Sequence, residues 1–350
     1  MGSNSFESMV RICRKQVSTI DESFLQERLL LEGISLPMNK GFIDVHHHLV
    51  PPAWISERHD AIAASIRRVS LLTDWSPSRS VEEMDKNGIA TAVTSLTHPG
   101  VWCGDKSKAQ MLARACNEYA IQMGRDFPGR FGVFAALPLP DVEGSLQEIA
   151  YAFDVLKADG VGLMTNFDDK WPGEPGFAEV FDELNRRKAV VYFHPTVARC
   201  CSELIPGVSP SVLEFPFDTT RAIVSLLVNG TFARCRDIKW IFSHAGGALP
   251  ILANRIDGVL GSMPSVRSSA PEGILSEFRQ LYFDTALATD HEAISALIAL
   301  TEKSHILFGS DYPLVDMDKC RAQYSKLQLP TADLIAIGRE NALRLFPQLN

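Results

Sequence analysis

The chain has no excess of positive charge: 34 Lys and Arg face 42 Asp and Glu, a formal −8 over 350 residues. A nucleic-acid binder needs a basic face to displace counterions from phosphates, so that class is disfavoured. The same balance argues against docking on an anionic membrane. No run of about 18 apolar residues occurs, so no membrane span is expected. Cysteine is sparse for a disulfide scaffold: seven residues, an odd count, with no Cys-x-x-Cys pair. That pattern points to a reducing, cytoplasmic setting, and the adjacent pair Cys200–Cys201 is its only unusual spacing. Low-complexity tracts and internal repeats are missing too. With 46% hydrophobic residues the chain can bury a large core. An acidic globular protein remains.

Residues 1–40 stand apart. Met1 to Ser5 is polar with no apolar h-region behind it, and Phe6 occupies the position where a myristoylation signal needs Ser or Thr. We read this segment as an extension outside the chemistry, and residues 41–350 as one catalytic domain.

From Phe42 onward, short apolar runs alternate with helical stretches. Strands are expected at Phe42–Val45, Ala90–Leu96, Phe131–Leu137, Gly160–Thr165, Val190–Phe193, Ile238–Ser243, Leu281–Asp284 and Ile306–Gly309. The runs are continuous rather than alternating, as expected for strands buried on both faces of a parallel sheet. Helices are expected between them, for example over Ala109–Phe127, Leu146–Ala158 and Phe177–Lys188. Eight such strands over about 300 residues suit an α/β architecture of the (β/α)8 TIM-barrel type.

The polar exceptions fall at strand ends. Asp44-Val45-His46-His47-His48 closes the first strand, and its period of two lets His46 and His48 converge while His47 faces away. His194 ends the fifth strand just before Pro195, His244 ends the sixth before Gly246-Gly247, and Asp311 ends the eighth. Any one of these could be an ordinary core or capping residue. Four strands delivering such groups to one face point to a metal site, because barrel active sites lie at the carboxyl ends of the strands. Three imidazoles and a carboxylate suit a divalent ion, with Zn2+ favoured and Mn2+ an alternative.

The order Asp-x-His-x-His, His-Pro, Ser-His-x-Gly-Gly and Gly-x-Asp-Tyr-Pro resembles the amidohydrolase superfamily. More narrowly it resembles the aminocarboxymuconate-semialdehyde decarboxylase family, over about Gly41 to Phe346. Ile43–Pro52 and Glu214–Arg221 are most similar to 6-methylsalicylate decarboxylases. The resemblance implies His46, His48, His194 and Asp311 as metal ligands, and His244 with Asp311 as catalytic groups. It also implies Trp75 as an aromatic wall of the substrate pocket and Arg255 as an arginine reaching a neighbouring subunit's site in a homodimer; His98, ending the second strand, is expected to line the pocket. Hydrolytic relatives carry a carbamylated lysine on the fourth strand, and Gly160–Asn166 has none. The expectation is therefore a one-metal decarboxylase of a hydroxylated aromatic acid, with no organic cofactor. The alternative is a metal-dependent hydrolase or lactonase acting on a small cyclic or aromatic acid.

Overall fold

Eight runs of β-branched and aromatic residues become eight strands because each can bury both faces, one toward helices and one toward a barrel interior. A computed structural model describes residues 41–66, 69–201 and 204–349. The N-terminal extension proposed over residues 1–40 lies outside the described residues. The strands are β1 (Phe42–His48), β2 (Ile89–Ser95), β3 (Phe131–Ala136), β4 (Gly160–Met164), β5 (Val190–His194), β6 (Lys239–Phe242), β7 (Tyr282–Asp284) and β8 (Ile306–Leu307). They pair in parallel in that same order, as consecutive βα units require. Closure between β8 and β1 runs through backbone bonds: Val45 N–H to the Phe308 carbonyl (3.0 Å), Asp311 N–H to His46 (2.8 Å) and His48 N–H to Tyr312 (2.7 Å). The result is a (β/α)8 TIM barrel.

Two strand boundaries differ from expectation by more than one residue, for physical reasons. The first strand continues beyond Val45, because its histidines remain in the ladder opposite Thr94 and Ser95 of β2. The last strand stops at Leu307, and the polypeptide that follows closes the barrel by the individual bonds given above.

The helices pack outside. Those that shape the mouth are α1 (Pro52–Ser65), α2 (Pro77–Lys86), α3 (Lys106–Asp126), α4 (Pro210–Val228) and α5 (Leu249–Leu260). Sequence chemistry sets their starts. Ser76 caps α2 by accepting the Arg79 N–H, with Pro77 following it, and Asp105 caps α3 by accepting the Lys108 N–H. The barrel interior is filled from below by Phe134 stacked on Tyr192 (centroids 5.1 Å apart), with Phe346 edge-on to Phe134 at 5.7 Å. A packed lower half leaves the carboxyl ends of the strands as the place for polar groups. Among the described residues, no helix is long and apolar enough to cross a membrane.

Candidate metal centre

The alternation of β1 sorts its three histidines. His46 and His48 bring their Nε2 atoms to 3.2 Å from each other, and both approach Asp311 Oδ1, at 3.2 and 3.0 Å. His47 turns away: its Nδ1 meets Asp44 Oδ2 at 3.1 Å and its Nε2 meets the Ser80 hydroxyl at 2.6 Å, tying β1 to α2. His194 and His244 arrive from β5 and the turn after β6. Ligand atoms of His46, His194, His244 and Asp311 all lie within 4.8 Å of one another. His48 joins that group at its edge, through His46 and Asp311. The constellation that the sequence placed at four strand ends is thus brought together, with His244 as close as the other imidazoles.

Each imidazole is aimed by its other nitrogen. Nδ1 of His46 meets Asp284 Oδ2 (3.0 Å), that of His48 the Ser95 carbonyl (3.2 Å), that of His194 the Pro195 carbonyl (2.9 Å) and that of His244 the Ala286 carbonyl (3.1 Å). Carbonyl oxygens only accept, so Nδ1 of His48, His194 and His244 carries the hydrogen and donates it. Nε2 of His48, His194 and His244 then presents a lone pair inward, the tautomer that metal ligation needs. The Nε2 atoms of His46 and His48 lie only 3.2 Å apart beside a carboxylate, an arrangement that needs a positive charge between them, a proton or a metal ion. The donor set fits a divalent ion.

Electrostatics agree. Burial by itself would push the His46 imidazole down, but the flanking Asp284 and Asp311 carboxylates more than offset it and raise its pKa to about 10. His46 therefore holds a proton at Nε2 at neutral pH, one that a metal ion would have to displace. Burial holds His48, His194 and His244 below the ordinary imidazole value, keeping their lone pairs free. Burial would raise Asp311, yet His46 and its hydrogen bonds hold that carboxyl well below the usual range. Asp311 is ionised.

Two carboxylates behind the site do the positioning. Asp284, at the end of β7, accepts the N–H groups of His244 (3.0 Å) and Ala286 (2.9 Å) on one oxygen, and holds His46 with the other. Asp44 accepts from His46 N–H and Ser310 N–H, both at 3.0 Å, and from the Ser310 hydroxyl. His244 (φ 53°), Ala245 (φ 54°) and Asp311 (φ 63°) all sit in the left-handed region. Such strain persists where the surroundings over-determine the backbone, and here it aims reactive side chains. At Gly247 (φ 66°) an added Cβ would lie 2.0 Å from the Pro216 carbonyl, so the turn after His244 requires glycine.

A cavity of about 740 Å3 opens onto His194, His244 and Asp311. Its walls include Ile66, Leu71, Phe215 and Leu314, a largely apolar enclosure that suits an aromatic ring. Phe215 lies against His194 (centroids 6.3 Å) and His98 (5.4 Å). His98 lines the cavity with its Nδ1 2.5 Å from the Thr196 hydroxyl. Trp75 is placed elsewhere: it is buried in the packed core and is not among the cavity's lining residues. Arg255 is exposed on α5, outside the cavity and without an ion pair among the described residues. Sequence reasoning passed over Phe215, because an aromatic residue on a helix carries no mark that separates a pocket wall from core. Asp284 did carry a signal, as a carboxylate at a strand end.

Fold and site together define a metal-centred (β/α)8 barrel with an imidazole-rich, carboxylate-backed mouth. The sequence matches the Amidohydrolase family (Amidohydro_2) over residues 43–348, and the chain belongs to that family. It is 35% identical to the decarboxylase yanB of Aspergillus niger over 326 residues, covering 87% of each chain. It is also 35% identical to the 6-methylsalicylic acid decarboxylase acuB of Aspergillus aculeatus, over 88% of this chain and 96% of that one. Among solved structures, an amidohydrolase II superposes with a TM-score of 0.80 at 26% identity, over 87% of this chain and 99% of that one. A dihydroxybenzoic acid decarboxylase from Polaromonas, crystallised with manganese and 2-nitroresorcinol, gives 0.75 at 22% identity, over 89% and 98%, and speaks to the fold.

Proposed function

We propose that this protein is a metal-dependent, nonoxidative decarboxylase of a hydroxylated aromatic acid, with 6-methylsalicylate to 3-methylphenol as the first candidate reaction. The observation that carries the proposal is the convergence of inward-facing Nε2 atoms with Asp311 beneath an apolar, Phe215-walled cavity. The 35% identity to a 6-methylsalicylic acid decarboxylase supports the choice of substrate. His46, His48, His194 and Asp311 would hold one divalent ion. We take Zn2+ as the first choice from the imidazole-rich donor set, with Mn2+ as the competitor.

When bound, the ion supplies Lewis-acid polarisation of the substrate's oxygens. The chain's residues supply position and protons. Phe215 and the aliphatic walls hold the ring flat in a dry cavity. Asp311, ionised in the resting site, takes the phenolic proton and returns it to the ring carbon that bears the carboxylate. The carbon–carbon bond then breaks, its electron pair restores aromaticity, and CO2 departs. His244, neutral and with Nε2 free, takes up a proton from solvent at Nε2 and delivers it to the phenolate oxygen left after CO2 departs. One proton is consumed overall: the phenolic hydrogen moves to carbon through Asp311, and a solvent proton replaces it on the oxygen.

We further propose a cytoplasmic homodimer. Ile251, Val212 and Leu287 are 76%, 59% and 64% exposed around the cavity mouth, an apolar rim suited to a second copy. Arg255 shares α5 with Ile251 and would reach the neighbouring mouth. Light scattering tests the dimer. The decisive test of function is incubation of the metal-loaded protein with salicylates and resorcylates while measuring CO2. Release from 6-methylsalicylate is expected, and silence from every member would favour the hydrolase alternative.

A further inference from the structure

A second cavity, of about 240 Å3, lies beside the first at the carboxyl ends of β2 to β5. The two share a single lining residue, His98. On the wall of the second stands Arg58, carried by α1. Its guanidinium is half-buried, and its Nε is closed off from solvent with no hydrogen-bond partner. Among the described residues no carboxylate lies within ion-pair distance of it. The acids at this cavity are engaged elsewhere, Asp168 and Asp169 each meeting Arg199 at 2.8 Å. Burial accordingly lowers the Arg58 pKa, as it does for a cation short of counter-charge.

His98 completes the wall. Its Nδ1 is engaged by Thr196, while among the described residues its Nε2 makes no hydrogen bond. Burial, assisted by the positive charge of Arg58, lowers its pKa to about 4, so the imidazole is neutral. A guanidinium Nε–H closed off from solvent without a partner is costly, and the group's planar fork matches a carboxylate two bonds at a time.

We propose that this second cavity is a binding site for a carboxylate-type oxyanion, with Arg58 as its cation and His98 as the wall it shares with the metal cavity. The oxyanion has two candidate sources: a second acidic substituent on the ring acid, or bicarbonate, the hydrated form of the released CO2. Only this choice of source rests on the decarboxylase reading. The site itself is defined by the unpaired arginine in its cavity.

The test uses the full-length, metal-loaded protein and phenylglyoxal, which labels accessible arginines, with Arg58 followed by peptide mass spectrometry. Formate and bicarbonate are the probes, and chloride controls ionic strength. At about ten times the Kd, simple occupancy predicts about tenfold slower labelling of Arg58. An unchanged labelling rate in both anions overturns the proposal, even if every salicylate is decarboxylated. Protection without any CO2 release would instead sink the decarboxylase reading and leave the site standing. Turnover then separates the sources. If bicarbonate occupies the site, Arg58→Gln removes bicarbonate inhibition. If a ring substituent does, Arg58→Gln raises KM for a hydroxylated ring dicarboxylate relative to the monoacid. Should that variant fail to fold, the wild-type labelling still decides.

Discussion

The two ends of the barrel solve opposite problems with the same strands. At the lower end, Phe134, Tyr192 and Phe346 fill the interior with stacked and edge-on rings in relaxed backbone. At the mouth the strands deliver four imidazoles and three buried carboxylates, with His244, Ala245 and Asp311 in left-handed backbone. Apolar packing is non-directional and tolerates approximate fit, whereas each mouth residue depends on a specific partner atom. The lower end therefore supplies stability that the mouth consumes.

Substitutions can break that division, and the largest effect belongs to the ligands. His194→Ala should strip the ion and abolish turnover together, as read by elemental analysis and CO2 release; full metal occupancy in the variant would remove it from the ligand set. His244→Ala should retain metal and lose about 10²–10⁴-fold in kcat, the usual scale for a proton-handling group. Its tight packing in the cluster makes metal content the essential second measurement. At the other end, Phe346→Ala should cost about 3–5 kcal/mol of stability by cavity formation while kcat of the folded fraction stays unchanged. A catalytic defect without a stability defect would erase the proposed separation.

Asp284→Asn sits between the two regimes. Losing the carboxylate behind His46 should weaken metal binding by about 10–100-fold, measured by chelator competition. The smallest effect lies on the outer surface, where hydrogen bonds from Arg186 and then Arg187 hold the Glu183 carboxyl down at about 2. A depressed folded-state value stabilises above the unfolded value of 4.5 and is lost as pH falls toward 2. The Tm gap between the native protein and Glu183→Gln should therefore be small at neutral pH and shrink below about 4.5.

Much of the barrel was legible in the chain because strand burial on two faces leaves a one-dimensional mark: continuous apolar runs closed by a polar residue. That mark located β3 and β5 within a residue or two and pointed to His46, His48, His194, His244 and Asp311. It failed where identity and place separate. Trp75 and Phe215 are both large aromatic residues on or beside helices, and only packing decides that one enters the core and the other the cavity wall. Arg255 and Arg58 differ in the same way: both are helix-borne cations, yet only Arg58 lines a cavity in the described chain.

By itself, the sequence determined the alternation of elements, the ends at which chemistry collects and the kinds of donor that arrive there, since these follow from local periodicity and side-chain type. The tertiary structure alone decided which nitrogen of each histidine faces inward, that Asp284 serves both His46 and His244, and that Arg58 Nε meets no partner among the described residues. Those properties depend on atoms brought within about 3 Å from residues as far apart as His46 and Asp284. Only closure of the barrel sets such distances.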